Sequence, residues 1–324
     1  MQFLKPAELK PPSLSQGYQF FPDGSDGFLV RSGVESIKVL IHKDRETVYL
    51  EPAGQAVNPA DLYVKKAAAE YLFSHDQHLK SCYWKIAGES APPVTRDEHY
   101  ADPFLFHFNP DKPNKETSDL SESDTGPFTR PVHPPETVLY RRFWPETGQA
   151  VSLELASPEH HLKLFHEWQN QDRVHEFWEL KGSLSDHRQY LENILMDPHS
   201  IPVILSYNDV PAGYFEIYWA WDDRIAPFYQ ADPYDRGMHL LIGDTRYLGF
   251  SLTYTAWCSV THFMFLEDKR TRGVVLEPRH DNQKIMKYVN AVDAFRVLKE
   301  FDFPHKRAKL IHCKRDSFFK GNYL

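Results

Sequence analysis

The sequence predicts an α+β protein, a mixed sheet flanked by helices that follows a strand-rich N-terminal domain. Three observations lead there. From residue 136 onward the hydrophobic patterning alternates between the strand and helix periods, in the order strand, helices, three strands, helix, strand, helix, strand, strand. Before it, the first hundred residues carry mainly strand-period runs. Between the two lies PDKPNKETSDLSESDTGPFTRPVHPP, rich in Pro, Ser, Asp and Glu and nearly free of aliphatic side chains, which buries too little surface to offset its ordering entropy. The expected organisation is a domain over 1–109, a linker over 110–135 and a domain over 136–324.

In the first domain FLVRSGVESIKVLIH (28–42) and TVYLEPA (47–53) alternate apolar and polar residues, as half-buried strands do. A helix is expected over Pro59–Phe73, with NPAD supplying a cap and Ala67–Ala69 supplying propensity. In the second domain TVLYRRFWPETGQAVSLELAS (137–157) reads as two strands. Residues 160–180 place Leu162, Leu164, Phe165, Trp168, Val174 and Phe177 at helical spacing, giving one or two amphipathic helices. Residues 185–196 open with Ser-Asp and form another. IPVILSY and PAGYFEIYWAW are strands turning at Asn208–Asp209, and MHLLIGD (238–244) is a short buried strand. A helix over 250–268, a strand at RGVVLEP, a helix over DNQKIMKYVNAVDAF with Asn282 near its cap, and a hairpin of FRVLKEFDF with AKLIHCKRDSFF complete the chain.

Composition narrows the function. A net charge of −8 lacks the basic field that a general nucleic-acid binder or an anionic-membrane binder shows. Cys82, Cys258 and Cys313 are odd in number, far apart and without CxxC spacing, which suits a reducing compartment and no zinc site. The start MQFLKPAELKPP has no apolar signal region, no apolar run approaches the roughly 18 residues of a membrane span, and GNYL is not a peroxisomal address. A cytoplasmic location is the expectation. Aromatic residues make up 14%, enough to line a pocket as well as a core.

Several residues stand out chemically, each with an ordinary structural reading beside it. MHLLIGD followed by RYLG (246–249) and a long helix can form an anion site from free helix-terminal amides, or an ordinary turn. His239 sits in an apolar strand, where a histidine is commonly a satisfied core residue, yet its proton affinity suits transfer near neutrality. Glu277 and Asp281 fall between a strand end and a helix start. Asp281 can cap the helix, and Glu277 can pair with Arg279 or Arg272. In YFEIYWAWDDR, alternation puts Glu216, Tyr218 and Ala220 on one face and Phe215, Ile217 and Trp219 on the other. The aromatics there can equally be core. Cys258 lies inside a helix and is expected to be buried rather than nucleophilic.

Taken together, EWQNQDRVHEFWELKG (167–182), PAGYFEIYWAWDDR (211–224), DPYDRGMHLLIGD (232–244), RYLG (246–249), VVLEPRHDN (274–282) and FPHKRA (303–308) resemble the GNAT fold of acyl-CoA-dependent N-acyltransferases. Within it they resemble the siderophore branch, which acylates the hydroxylated side-chain nitrogen of N5-hydroxyornithine or N6-hydroxylysine. The resemblance covers about residues 140–319. It implies acyl-CoA as co-substrate, acetyl or longer, with no metal. Leu241, Ile242 and Gly243 would line the coenzyme, and its pyrophosphate would meet Arg246, Gly249 and Ser251, the serine standing where the family has a last small residue. It further implies His239 as base, oriented by an acid. Arg279 occupies the place where some relatives carry that acid, so Asp281 is the first candidate and Glu277 the second.

The expected acceptor wall is Glu216, Tyr218, Trp219 and Trp221, with Arg173 or Arg224 on the acceptor's α-carboxylate. His305, Lys306 and Arg307 would touch the coenzyme 3′-phosphate or form a plain polar turn. The expected activity is N-acylation to a hydroxamate by direct transfer, hydroxyornithine ahead of hydroxylysine. The alternatives are a small-amine, aminoglycoside-like N-acetyltransferase and a catalytically silent GNAT-like binding module. The N-terminal domain reads as a degenerate GNAT-like lobe or a dimer surface, so a homo-oligomer stays open.

Overall fold

The computed structural model describes residues 7–9, 18–23, 27–32, 35–44, 46–53, 62–85, 92–106, 131, 133 and 138–324. Almost all of the expected linker, and the NPAD segment expected to cap the first helix, lie outside them. Contacts divide the chain into two units: 1–110 with 141–150 and 324, and 111–140 with 151–323. The division departs from the sequence boundary in assigning Arg141–Ala150 to the first unit.

The first unit holds β1 (Ala7–Leu9), β2 (Tyr18–Pro22), β3 (Gly27–Ser32), β4 (Glu35–Asp44), β5 (Thr47–Ala53), α1 (Leu62–His75), β6 (Ser81–Trp84), β7 (Val94–Thr95) and α2 (Arg96–Tyr100). The seven strands form one sheet in chain order. The run 28–42, read as one stretch of alternation, is two paired strands, β3 and β4. Only β5 and β6 run parallel, as a helical crossover through α1 requires. Tyr71 of α1 stacks on Phe20 with centroids 4.5 Å apart and meets Phe28 at 5.0 Å, seating the helix on the sheet.

Beneath them Glu70 is buried. It accepts from His99 Nε2 at 2.9 Å and from Arg142 Nε at 3.3 Å, while Arg142 also donates to the Tyr100 hydroxyl at 3.1 Å. Burial opposes the Glu70 charge, but Arg142 and His99 outweigh it and hold its pKa below the ordinary carboxylate value. This network is why the 141–150 segment belongs to the first unit.

The chain then forms β8 (Val138–Trp144), β9 (Gln149–Leu155), α3 (Pro158–Gln169), α4 (Asp172–Trp178), α5 (Leu184–Met196), β10 (Ser200–Tyr207), β11 (Val210–Trp219), β12 (Arg236–Ile242), α6 (Phe250–Glu267), β13 (Gly273–Leu276), α7 (Gln283–Ala291), β14 (Phe295–Asp302), β15 (Arg307–Lys314) and α8 (Arg315–Lys320). The strands of the second unit are ordered β14-β15-β13-β12-β11-β10-β9. Local chemistry sets the boundaries. Ser183, two residues before the expected cap, closes a capping box with Asp186 and starts α5. Asn208 and Asp209 both take positive φ, 47° and 64°, the conformation a tight β10–β11 hairpin turn demands. Asn282 accepts from the Ile285 amide at 3.2 Å and caps α7. The last expected strand stops at Lys314, and RDSFFK instead forms α8, which buries Phe318 and Phe319.

Helix α6 is apolar nearly all round and buried from Thr253 to Glu267 except at Tyr254, so it is a core helix of the unit. Among the described residues no helix is long and apolar enough to cross a membrane. Cys82, Cys258 and Cys313 are all buried free thiols. Replacing Glu70 by Ala leaves Arg142 as a buried charge without its carboxylate, so we expect a loss of about 3–5 kcal/mol in denaturant unfolding. Glu70→Gln, which keeps the shape, should lose less.

Candidate active site

Strand β12 pairs with β11 along its whole length, Trp219↔Arg236 through Gly213↔Ile242. With its parallel neighbour β13 it pairs only at Arg236↔Val274 and Gly237↔Val275. The sheet therefore opens beyond Gly237, and one edge of β12 is left without a strand partner. A cavity of about 540 Å³ occupies the opening, within the usual range for a small-molecule site. Glu216 and Met238–Leu240 form one wall and Leu276–Pro278 the other. Phe177 and Trp178 from α4, Tyr190 from α5 and Trp257 from α6 add aromatic surface, and Asp222, Asp223, Arg224 and Lys306 line the rim.

At its centre Glu277 is 3% exposed and accepts four donors. Its Oε1 faces His239 Nε2 at 3.3 Å, Arg224 Nη2 at 3.3 Å and Lys306 Nζ at 3.2 Å; its Oε2 accepts from the Tyr218 hydroxyl at 3.2 Å. Burial alone would raise its pKa, but His239, Lys306 and Arg224 hold it well below the ordinary value. Tyr218 reaches Glu277 by lying across Gly237, where an added Cβ would come within 2.2 Å of its ring.

His239 sits between two carboxylates. Register pairs it with Glu216, and its Nδ1 lies 3.5 Å from Glu216 Oε2. Glu216 Oε1 in turn accepts from the Tyr190 hydroxyl at 2.6 Å and the Tyr214 hydroxyl at 2.9 Å. Burial works against a charge on His239, but Glu277 and Glu216 outweigh it and raise its pKa to about 10. The imidazole is therefore a cation at neutral pH, with both ring nitrogens donating. Tyr218 and Trp178 flank the ring, with centroids 4.9 Å and 6.3 Å away.

Past the end of β12, Asp244, Arg246 and Gly249 lead into α6. Gly249 is the N-cap with φ 146° and no side chain caps the helix, so first-turn amides face outward. Arg246 is exposed and pairs with Asp244, which raises its own pKa and lowers that of the aspartate. Such a terminus, with a mobile cation beside it, suits an anion. Ser251 lies in that first turn. Leu241 and Ile242 are buried, so any contact they offer a ligand comes from the strand backbone. Gly243 packs against Trp168, whose ring leaves no room for a Cβ, and its carbonyl already accepts from Gln171 and Arg173.

Several expectations need correction. Asp281 does not meet His239: it is half exposed and bound to Arg279 at 2.9 Å. Glu277, directly after the last residue of β13, is the acid beside the histidine. Arg173 lies outside the cavity, donating to the Gly243 carbonyl at 2.6 Å. Trp219 points to the opposite face, 3.9 Å from the Arg236 guanidinium, and Arg236 is itself paired with Glu267. Trp221 is exposed and does not line the cavity. Glu216 and Arg224 line the cavity, and Tyr218 is buried behind it with its hydroxyl on Glu277. Sequence reading missed Tyr190, Trp178 and the inward role of Lys306.

A family model described as an acetyltransferase (GNAT) domain matches residues 157–303. Residues 157–303 thus have the GNAT fold. The N(5)-hydroxyornithine:cis-anhydromevalonyl coenzyme A-N(5)-transacylase of Beauveria bassiana is 42% identical over 195 residues, which are 59% of this chain and 42% of that protein. The N(6)-hydroxylysine O-acetyltransferase of Escherichia coli is 40% identical over 185 residues, 57% of this chain and 58% of that protein. The chain thus spans about half the length of these curated relatives. A solved structure of an uncharacterised protein from Bacillus halodurans superposes with a TM-score of 0.53 at 28% identity, over 56% of this chain and 93% of that one. The opening between β12 and β13 and the α6 terminus both fall inside the matched residues.

The raised His239 pKa has a definite sign. Its pairing contributes stability that is complete below the unfolded value of about 6.5 and is lost as pH rises through about 10. Glu277→Gln should therefore lower the midpoint of a His239 NMR titration. It should also destabilise the protein at pH 7, by a margin that shrinks as the pH approaches 10. An unchanged midpoint would refute the pairing. Gly237→Ala should push Tyr218 off Glu277 and cost about 1–3 kcal/mol of stability, read by thermal unfolding.

Proposed function

We propose that the chain transfers an acyl group from acyl-CoA to the hydroxylated side-chain nitrogen of a diamino acid, N5-hydroxyornithine ahead of N6-hydroxylysine, giving a hydroxamate for siderophore assembly. The observation that carries this is the Glu216–His239–Glu277 row at the open edge of β12, inside a GNAT domain. The names of the relatives from Beauveria bassiana and Escherichia coli support the acceptor class.

The reaction moves one proton. The nitrogen attacks the thioester carbonyl, the C–N bond forms, the C–S bond breaks, and the nitrogen's proton ends on the sulfur. The free edge of β12 offers backbone hydrogen bonds to an extended acyl-pantetheine arm, and the α6 terminus with Arg246 takes its pyrophosphate. His239 begins as a cation, so its first role is donor: to the developing oxyanion or to the leaving thiolate. The carboxylates on either side, Glu216 and Glu277, replenish it with the proton released by the nitrogen. This replaces the simple picture of a neutral histidine base oriented by Asp281.

A hydroxylamine suits such a site, being less basic than an alkylamine and arriving neutral. The polycation-binding alternative has weaker support, because the rim mixes Asp222 and Asp223 with Arg224 and Lys306 rather than presenting a run of carboxylates.

The test is thiol release from acetyl-CoA and a longer acyl-CoA with N5-hydroxyornithine, N6-hydroxylysine and their non-hydroxylated parents. Ferric-complex colour would identify the hydroxamate. Transfer confined to hydroxylated acceptors is expected, with kcat/KM falling about 10²–10⁴-fold in His239→Ala. Equal turnover of ornithine or lysine would overturn the reading.

A further inference from the structure

Arg224 and Lys306 come from separate parts of the unit, the loop after β11 and the turn between β14 and β15. Both reach the same carboxylate oxygen, Glu277 Oε1, which His239 already contacts. Both also lie over one ring, Phe303, at 5.4 Å and 5.5 Å from its centroid. Phe303 is buried, so it fixes the approach of the two long side chains. Three cationic groups on one carboxylate oxygen exceed what a single negative charge satisfies. The Lys306 side chain is 20% exposed and that of Arg224 50%, so both can turn toward the cavity they line.

We propose that Arg224 and Lys306 form the subsite for the α-carboxylate of an amino-acid acceptor, and that Phe303 holds the pair in place. This rests on the acyl-transfer reading and adds the residues that select a free amino acid over a plain diamine. It also turns Lys306 away from the coenzyme 3′-phosphate, the contact that FPHKRA suggested. A planar carboxylate matches the guanidinium fork, and the ammonium supplies a second charge-assisted donor. On binding it, the two cations shift their attention from Glu277, which is left to His239 and Tyr218. The carboxylate then faces fewer cations and becomes a better proton acceptor for the attacking nitrogen.

The experiment pairs each acceptor with its decarboxylated form: N5-hydroxyornithine with N-hydroxyputrescine, and N6-hydroxylysine with N-hydroxycadaverine. Wild-type protein is compared with Lys306→Met, Lys306→Arg and Arg224→Gln. Wild type should favour the carboxylate-bearing acceptor by about 10- to 100-fold in kcat/KM. Lys306→Met and Arg224→Gln should erase most of that preference by slowing the carboxylate-bearing acceptor far more than its decarboxylated form, and Lys306→Arg should restore part of it. The KM for acetyl-CoA should stay the same in all. Equal loss on both acceptors, or a raised KM for acetyl-CoA that vanishes with dephospho-CoA, would overturn the assignment. Calorimetric titration of N5-hydroxyornithine into each protein separates the two readings. Binding lost in Lys306→Met and kept in Lys306→Arg sustains the subsite even if no acyl transfer is seen, whereas binding unaffected by either substitution refutes it.

Discussion

The organising interaction of the second unit is the buried carboxylate of Glu277. A lone carboxylate at that depth would be costly, several kcal/mol even after relaxation, and would ordinarily take up a proton. Here His239, Arg224, Lys306 and the Tyr218 hydroxyl all answer it. Four elements of the fold are thereby committed. β12 must present His239, β11 must present Tyr218, and the loop after β11 and the β14–β15 turn must close over the rim. The glycine at 237 follows from the same demand, because only there can the Tyr218 ring cross the neighbouring strand.

The second constraint is the short pairing of β12 with β13. Two paired positions hold the strands together at Arg236 and Gly237, beside the buried Arg236–Glu267 ion pair. Beyond them the strands no longer share a ladder. Unpaired strand edges usually invite aggregation. Here the edge lines a cavity, and Trp178 already satisfies one of its carbonyls, that of Leu240, with an indole N–H at 3.3 Å. The opening of the sheet and the cavity are one feature.

The strands and helices were legible because the periodicities are clean. Alternation in PAGYFEIYWAW placed Glu216 and Tyr218 together, and the glycine before an apolar run marked the start of α6. The choice between Glu277 and Asp281 was not legible. The two carboxylates are four residues apart, and which one faces inward depends on the backbone path after β13, where Arg279 bridges to Ala308. Arg173 misled because charge type says nothing about direction: its guanidinium is spent on a loop carbonyl. Trp219 misled for a different reason. The same alternation that put Glu216 in the site put Trp219 on the far face, against Arg236. Lys306 escaped because its carboxylate partner, Glu277, is 29 residues away in the chain, a separation that only the closed sheet bridges.

The electrostatics of the site bear on why a hydroxylated nitrogen would be its acceptor. An alkylammonium with a lysine-like pKa near 10.4 is neutral in only roughly one molecule in two or three thousand at pH 7. Reacting it would require a strong base in the cavity. The histidine cannot serve, because its two carboxylates keep it protonated up to about pH 10. Glu277 cannot serve while cations hold it far below the ordinary carboxylate range. A nitrogen that arrives already neutral needs no such base: it loses its proton only after attack, when the bond to carbon has made it acidic. A carboxylate next to an imidazolium is then basic enough to receive it. Such a charge-locked row would make a poor base for an alkylammonium and would suit the neutral nitrogen of the proposed acceptor.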